Sequence, residues 1–255
     1  MRETVLDVRG TNVRMFEAGT GPTVLVLHGI DGLAVDPLLS DLSKSFRVVA
    51  PEFPGFTRSP IPDWMMSVND AAFFTLDLIA ALGLPQVHLV GHSIGGWIAA
   101  EVAIRSTHAL ASLSLLAPAG VMPREAPGQD VFLLSGEEGV RALFHDQALA
   151  DQEIAARAGD ELDIMLQNRA GLARLAWTPR MASVVLPHWL HRIDIPTFIA
   201  WGREDRILPF STHEVFLKEI AGAEFLALSA CGHAIPQERG AEVARRMGAF
   251  MNGAN

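Results

Sequence analysis

Cysteine is nearly absent: Cys231 stands alone in 255 residues. A single cysteine excludes an internal disulfide and any cysteine-rich metal site. No apolar run approaches the roughly 18 residues that a membrane-crossing helix requires. Basic residues are in deficit, 20 Lys and Arg against 29 Asp and Glu, for a formal net charge of −9. That balance argues against a surface built for nucleic acid or other phosphates. Met1–Gly19 mixes acidic with apolar residues and lacks the continuous apolar core of a secretory signal. There is no internal repeat and no low-complexity tract. These absences lead us to expect a cytoplasmic protein with no membrane or nucleic-acid partner, and they leave its oligomeric state open.

Apolar residues are plentiful, 49% of the chain, enough for one large α/β domain or two small ones. Thr4–Val8 and Val13–Glu17 alternate around Gly10–Asn12 and read as a hairpin. Thr23–Leu27 is a continuous apolar run of the kind buried on both faces. Asp36-Pro37 can start a helix through about Ser43. Phe46–Ala50 is the next strand. Residues 51–66 carry four prolines and must be loop. Val68–Leu82 is an amphipathic helix with Ala71, Phe74, Leu78 and Leu82 on one face, stopped by Gly83. Val87–Val90 and Leu113–Leu116 are short buried strands. From about Val121 to Arg192 helical stretches dominate, for example Glu138–Leu149 and Glu153–Leu166. Alternation resumes with strands at Thr197–Trp201 and Phe225–Leu228 and helices at Thr212–Ile220 and Ala241–Met251. Such alternation implies a mostly parallel sheet with helices on both faces. It divides the chain into a core, 1–120 with 193–255, and a helical insertion, 121–192, placed to act as a lid.

The stretch with the clearest chemistry is Gln86–Arg105, a strand, the corner Gly91-His92-Ser93-Ile94-Gly95-Gly96, and a helix of small and apolar residues. A strand–turn–helix corner puts Ser93 at its apex, and glycines two residues to either side remove the Cβ atoms that would clash there. Strand and helix on either side raise this pattern above a chance match.

A serine hydroxyl needs a base, and the base needs an orienting group. Active residues of an open α/β sheet gather beyond the carboxyl ends of its strands. Asp205 lies beyond Thr197–Trp201, with Glu204 as a rival acid. His233 lies beyond Phe225–Leu228. His28 and His92 also sit at strand ends, but His92 would point away from its neighbour Ser93. The order Ser, Asp, His, each beyond a separate strand, is that of one class of serine hydrolases. Two N–H donors for an oxyanion are expected, from Ile94 directly after the serine and from Ile30 in the loop His28–Gly32.

With these stretches together, the chain resembles the α/β-hydrolase superfamily over nearly its whole length. The matches are His28-Gly29, Pro51 to Ser59, Gly91 to Gly96, Gly202 to Pro209 and Gly232-His233. The resemblance implies an eight-stranded, mostly parallel sheet with a helical lid. It also implies Ser93 as nucleophile, His233 as base, Asp205 as orienting acid, Ile30 and Ile94 as oxyanion donors, and chemistry without metal or cofactor. Glu52 and Thr57 depart from the pattern, because relatives usually have an aspartate and a glycine there.

Dehalogenases and epoxide hydrolases of this fold use an aspartate at the elbow, so Ser93 argues against both. The plainest expectation is a carboxylesterase-like hydrolase of small, mostly apolar esters working through an acyl-enzyme. The alternatives are a carbon–carbon bond hydrolase of meta-cleavage-product type, a cofactor-free perhydrolase, and a noncatalytic small-molecule-binding member. Carbon–carbon hydrolases commonly carry a tryptophan after the histidine and an arginine in the lid. Here Ala234 follows His233, while Arg169, Arg174 and Arg180 are lid candidates. The expected pocket lies between elbow and lid, lined by His28, Trp64, Met65, Phe132, Phe144, Met165 and Trp177. Trp97 is expected to pack its helix onto the sheet.

Overall fold

The apolar runs become the strands of one sheet, and the amphipathic stretches become helices packed around it. The computed structural model describes residues 1–121, 128–134, 136–156 and 161–254. Its strands are β1 (Arg2–Val8), β2 (Thr11–Ala18), β3 (Thr23–Leu27), β4 (Arg47–Pro51), β5 (Val87–His92), β6 (Leu110–Leu116), β7 (Thr197–Gly202) and β8 (Glu224–Leu228). They lie in the order β1-β2-β4-β3-β5-β6-β7-β8. The β1–β2 hairpin and the β2–β4 pair are antiparallel, and the rest of the sheet is parallel. Arg9 and Gly10, at φ 51° and 86°, make the tight turn of that hairpin. The central strands β3, β5 and β7 are buried along their whole length, as a strand covered on both faces must be.

The helices are α1 (Pro37–Leu42), α2 (Val68–Ala81), α3 (Ile94–Arg105), α4 (Gly136–Leu143), α5 (Gln147–Ala156), α6 (Glu161–Ala176), α7 (Leu186–Trp189), α8 (His213–Glu219), α9 (Ile235–Glu238) and α10 (Gly240–Gly253). Asp36 caps α1 by accepting from the Leu39 N–H, and Ser67 caps α2 by accepting from the Asp70 N–H. Helix α1 packs on α10, and α2 on α3. Among the described residues no helix is long and apolar enough to cross a membrane.

Between β6 and β7 the described residues form α4 to α7 and no strand, apart from one isolated bridge between Gly120 and Ala182. The single helix expected over Glu138–Leu149 is two. The Asp146 carboxylate accepts from the Ala148 and Leu149 N–H groups and starts α5 afresh. The Gln147 side chain, meanwhile, donates to the Arg141 and Phe144 carbonyls at the end of α4. The stretch expected as Glu153–Leu166 divides between α5 and α6, and residues 157–160 lie outside the described residues.

Helix α6 lies along the proline-rich loop that follows β4. Gln167 donates to the Ser59 carbonyl at 2.9 Å, and the Arg174 guanidinium donates to the carbonyls of Met65 and Asp63 at 3.1 and 2.7 Å. Gly171 allows this approach, because a Cβ there would stand 2.2 Å from the Gly55 carbonyl oxygen. Alanine in a helix interior gains about 1 kcal/mol over glycine in propensity. Forcing a methyl group into a filled contact costs about 1–3 kcal/mol. The clash is with backbone and cannot be relieved by a rotamer, so Gly171→Ala is expected to lower stability despite its better propensity. A fall in the thermal midpoint checks this, and a rise would contradict the contact.

Candidate active site

Strand β5 ends at His92 and α3 begins at Ile94, which leaves Ser93 at φ 55° and ψ −119° between them. A serine rarely adopts that conformation, and it persists only where the surroundings enforce it. Three glycines provide the enforcement. A Cβ at Gly91 would meet the Gly95 carbonyl oxygen at 2.3 Å, one at Gly95 would meet the Leu27 carbonyl oxygen at 2.4 Å, and one at Gly96 would meet the Pro118 Cα at 2.9 Å. The Ser93 N–H donates to the Leu116 carbonyl, and its own carbonyl accepts from Ala119 and Trp97. Trp97 stays on the inner side of α3, where its indole N–H donates to Glu101.

The hydroxyl faces an imidazole. Ser93 Oγ and His233 Nε2 are 2.8 Å apart, and His233 Nδ1 is 2.8 Å from Asp205 Oδ2. The other Asp205 oxygen accepts from the Ile207 and Leu208 N–H groups, each at 2.9 Å. All three side chains are buried. With a carboxylate at Nδ1 the proton sits on that nitrogen, and the Nε2 lone pair is left for the serine hydroxyl. Glu204, the rival acid, turns to the Cys231 N–H instead, at 3.0 Å. Glu238 accepts from the Gly232 N–H at 2.6 Å and so anchors the loop that carries His233, a role the sequence did not suggest.

The loop after β3 runs directly behind the serine. A Cβ at Gly29 would lie 2.7 Å from His92 Nδ1 and 3.4 Å from the Ser93 Cβ. Neither the Ile30 nor the Ile94 N–H is spent on a hydrogen bond among the described residues. Ile94 stands in the first turn of α3, where no intrahelical acceptor exists. His92 turns away from the hydroxyl, and its Nε2–H donates to the His233 carbonyl at 2.8 Å. Burial, and then the neighbouring His233, push its pKa down to about 3. His28 donates to the Gly29 carbonyl at 2.8 Å and accepts from the Phe53 N–H at 3.1 Å. Burial lowers its pKa too. It therefore acts as a neutral spacer between two loops, and it lines only a separate cleft beside α1.

A cavity of ≈ 40 Å³ lies against the same loop, bounded by Ile30, Asp31, Leu143, Met165, Asn168 and Arg169, among others. Of the expected pocket residues only Met165 lines it. Met65 is fully buried beneath the proline-rich loop, and Trp64 and Trp177 are exposed by 55% and 52%. Phe132 packs edge-on against Trp177, 5.1 Å between centroids. Phe144 is buried at the end of α4, where the backbone presses on Gly232. The apolar lining comes instead from Val131, Leu134, Val140 and Leu143. Of the three arginines expected in a lid, Arg174 is engaged by loop carbonyls. Arg180 pairs with Asp130 at 3.1 Å and lies 4.4 Å over the Trp177 ring. Arg169 alone of the three reaches the cavity.

The two departures after β4 find structural partners. Glu52 is buried, ion-paired with Arg14, and accepts from the Ser59 hydroxyl at 2.6 Å. Thr57 occupies φ 54°, a conformation that glycine adopts freely. Among the described residues no cluster of three His, Cys, Asp or Glu could hold a metal ion.

The sequence matches the alpha/beta hydrolase family model over residues 24–246, and the chain belongs to that family. It is 29% identical over 270 residues to the 2-hydroxymuconate semialdehyde hydrolase of Pseudomonas sp. (strain CF600), covering 95% of this chain and 91% of that one. It is 23% identical to a 2-hydroxy-6-oxo-6-(2'-aminophenyl)hexa-2,4-dienoic acid hydrolase of Metapseudomonas resinovorans, covering 91% of this chain and 84% of that one. Among solved structures, a meta-cleavage product hydrolase from Pseudomonas fluorescens IP01 superposes with a TM-score of 0.83 at 22% identity. That match covers 99% of this chain and 98% of that one and shows the shared fold. The protein is thus a hydrolase of this family.

His92 is expected to stay neutral throughout the physiological range. The unfolded chain takes up a proton on this ring below about pH 6.5, whereas the folded protein does so only near pH 3. Stability associated with His92 is therefore fully present above 6.5 and is lost as pH falls toward 3. In an NMR titration the His92 ring signals should not move between pH 8 and 5. A midpoint near 6.5 would contradict the burial.

Proposed function

We propose that the protein is a serine hydrolase cleaving the carbon–carbon bond of a dienoic keto acid, with Ser93 as nucleophile, His233 as base and Asp205 as its orienting acid. The hydrogen-bonded row Ser93–His233–Asp205 supports the nucleophilic mechanism. The observation that carries the substrate class is the Arg169 guanidinium in the cavity beside Ile30, a suitable partner for a carboxylate. The activities named for the relatives are of the same class.

In this reading His233 takes the Ser93 proton as Oγ bonds to the keto carbon. The N–H groups of Ile30 and Ile94 hold the oxyanion. Collapse breaks the carbon–carbon bond, the electron pair passes to a carbon conjugated with the second carbonyl, and His233 returns the proton there. Water, activated by the same imidazole, then releases the acyl group from Ser93. A carbon leaving group needs that conjugated electron sink, and an ester does not. Residues 121–192 serve as the lid over the core, 1–120 with 193–255. A cavity of ≈ 40 Å³ is far below the roughly 300 Å³ of an ordinary ligand site, so the lid must move to admit substrate.

Ester hydrolysis, the plainest expectation from the sequence, is the second reading. Ala234 favours it, because a tryptophan commonly follows the histidine in carbon–carbon hydrolases. Here that position is a buried methyl group whose N–H donates to the Leu143 carbonyl at 2.9 Å.

Ser93→Ala should abolish turnover of both substrate classes and prevent labelling by a fluorophosphonate; activity near the parent's would overturn the nucleophile assignment. Arg169→Leu separates the two readings. Loss of a charge-assisted hydrogen bond should raise KM for a dienoic keto acid by about 10- to 100-fold and leave p-nitrophenyl butyrate unaffected. Turnover of esters alone, indifferent to Arg169, would select the ester reading.

A further inference from the structure

The loop that carries Ile30 does not hold its own shape. Among the described residues its one internal backbone bond runs from the Gly32 N–H to the Gly29 carbonyl, at 3.2 Å. Its remaining anchors come from elsewhere. The Thr57 hydroxyl accepts from the Leu33 N–H at 3.0 Å. The Asn168 amide donates from Nδ2 to the Asp31 carbonyl at 2.8 Å, and its Oδ1 accepts from the Thr57 N–H at 2.5 Å. Gly32 makes room for both partners, since a Cβ there would stand 2.4 Å from Thr57 Oγ1 and 3.0 Å from Asn168 Nδ2. Asn168 belongs to α6 and is 4% exposed, yet its amide is satisfied by backbone groups of two separate loops.

We infer that Thr57 and Asn168 form a positioning pair that sets the oxyanion loop only when α6 is seated. The inference rests on the reading of Ser93 as nucleophile and Ile30 as oxyanion donor, and it adds how that donor is placed. Asp31 and Leu33 flank the donor on its C-terminal side, and Gly29, packed on His92 and Ser93, flanks it on the other. Clamping both sides leaves the Ile30 peptide little freedom. One of the clamps belongs to the helical segment, so lid seating and oxyanion geometry are a single event.

Thr57 is unusual for this task. A β-branched residue at positive φ is strained. Glycine would relieve that strain and lose the hydroxyl that accepts from the Leu33 N–H. Thr57→Gly thus removes the positioning bond without forcing the backbone, and this separates function from folding.

The experiment compares the parent, Thr57→Gly, Thr57→Ser and Asn168→Ala in three readouts: the rate of Ser93 labelling by a fluorophosphonate, kcat and KM on p-nitrophenyl butyrate, and the thermal midpoint. Full loss of an oxyanion donor costs about 100- to 1,000-fold in kcat, so a displaced donor should cost about ten-fold. For Thr57→Gly the expected result is that loss in kcat and in labelling rate, with KM and the thermal midpoint nearly unchanged. Thr57→Ser should restore both rates. Asn168→Ala should lower them similarly, and adding it to Thr57→Gly should cost less than the product of the single effects. A labelled, active parent with an equally active Thr57→Gly overturns the positioning pair and leaves the nucleophile assignment intact. A parent that is not labelled at Ser93 overturns the nucleophile assignment and this inference with it.

Discussion

The active corner depends on the absence of a Cβ at Gly95. Carbonyl oxygens of Leu27 and His28 stand 2.4 and 2.5 Å from where that atom would be. This proximity sets how closely α3 can approach β3, and hence where the Ile94 N–H lies relative to the loop after β3. It also holds Ser93 in a conformation that no local preference would choose. The sheet supplies the counterforce: β5 is fully buried between β3 and β6, so the strain at Ser93 cannot relax by shifting the strand. Strain at one residue is tolerated because β5 and its two neighbouring strands over-determine it.

A second constraint is electrostatic. The row beside Ser93 buries one carboxylate, and burying a charge is costly unless it is both paired and hydrogen-bonded. Asp205 meets that condition through two backbone N–H groups and the His233 ring. The adjacent His92 and His28 are kept uncharged by burial, so they add hydrogen bonds without adding a second charge. Neutral His92 can therefore brace the His233 backbone from 2.8 Å without competing electrostatically for Asp205.

Those parts of the molecule that follow from periodicity and spacing were legible in the sequence. All eight strands, the corner at Ser93 and the placement of Asp205 and His233 beyond separate strands could be read before any coordinates. Each rests on a local signal, an apolar run closed by glycine or proline. The helical segment between β6 and β7 resisted because its helices break on single side chains: Asp146 restarts a helix that the apolar pattern runs straight through. Val140 and Leu143 line the cavity while Trp177 faces outward, so large aromatics proved a poor guide to the lining. Neither Glu238 nor Asn168 carries a motif; the backbone partners of Glu238 are 6 and 92 residues away, and those of Asn168 are 111 and 137 away. The resemblance that flagged Thr57 as a departure gave no hint of its bond to Leu33.

Charge placement bears on what the site accepts. Acidic residues outnumber basic ones across the chain, yet Arg169 has no carboxylate within ion-pair distance among the described residues. In that cavity the guanidinium stands with Asp31 in a mostly apolar lining. At physiological salt the Debye length is about 8 Å, so distant charges do little to steer an anion to it. Discrimination of an anion there would come from contact, through a charge-assisted hydrogen bond. Arg169 and Asn168 are adjacent on α6, so the guanidinium at the cavity and the amide that ties the loop after β3 to Thr57 are carried by one helix.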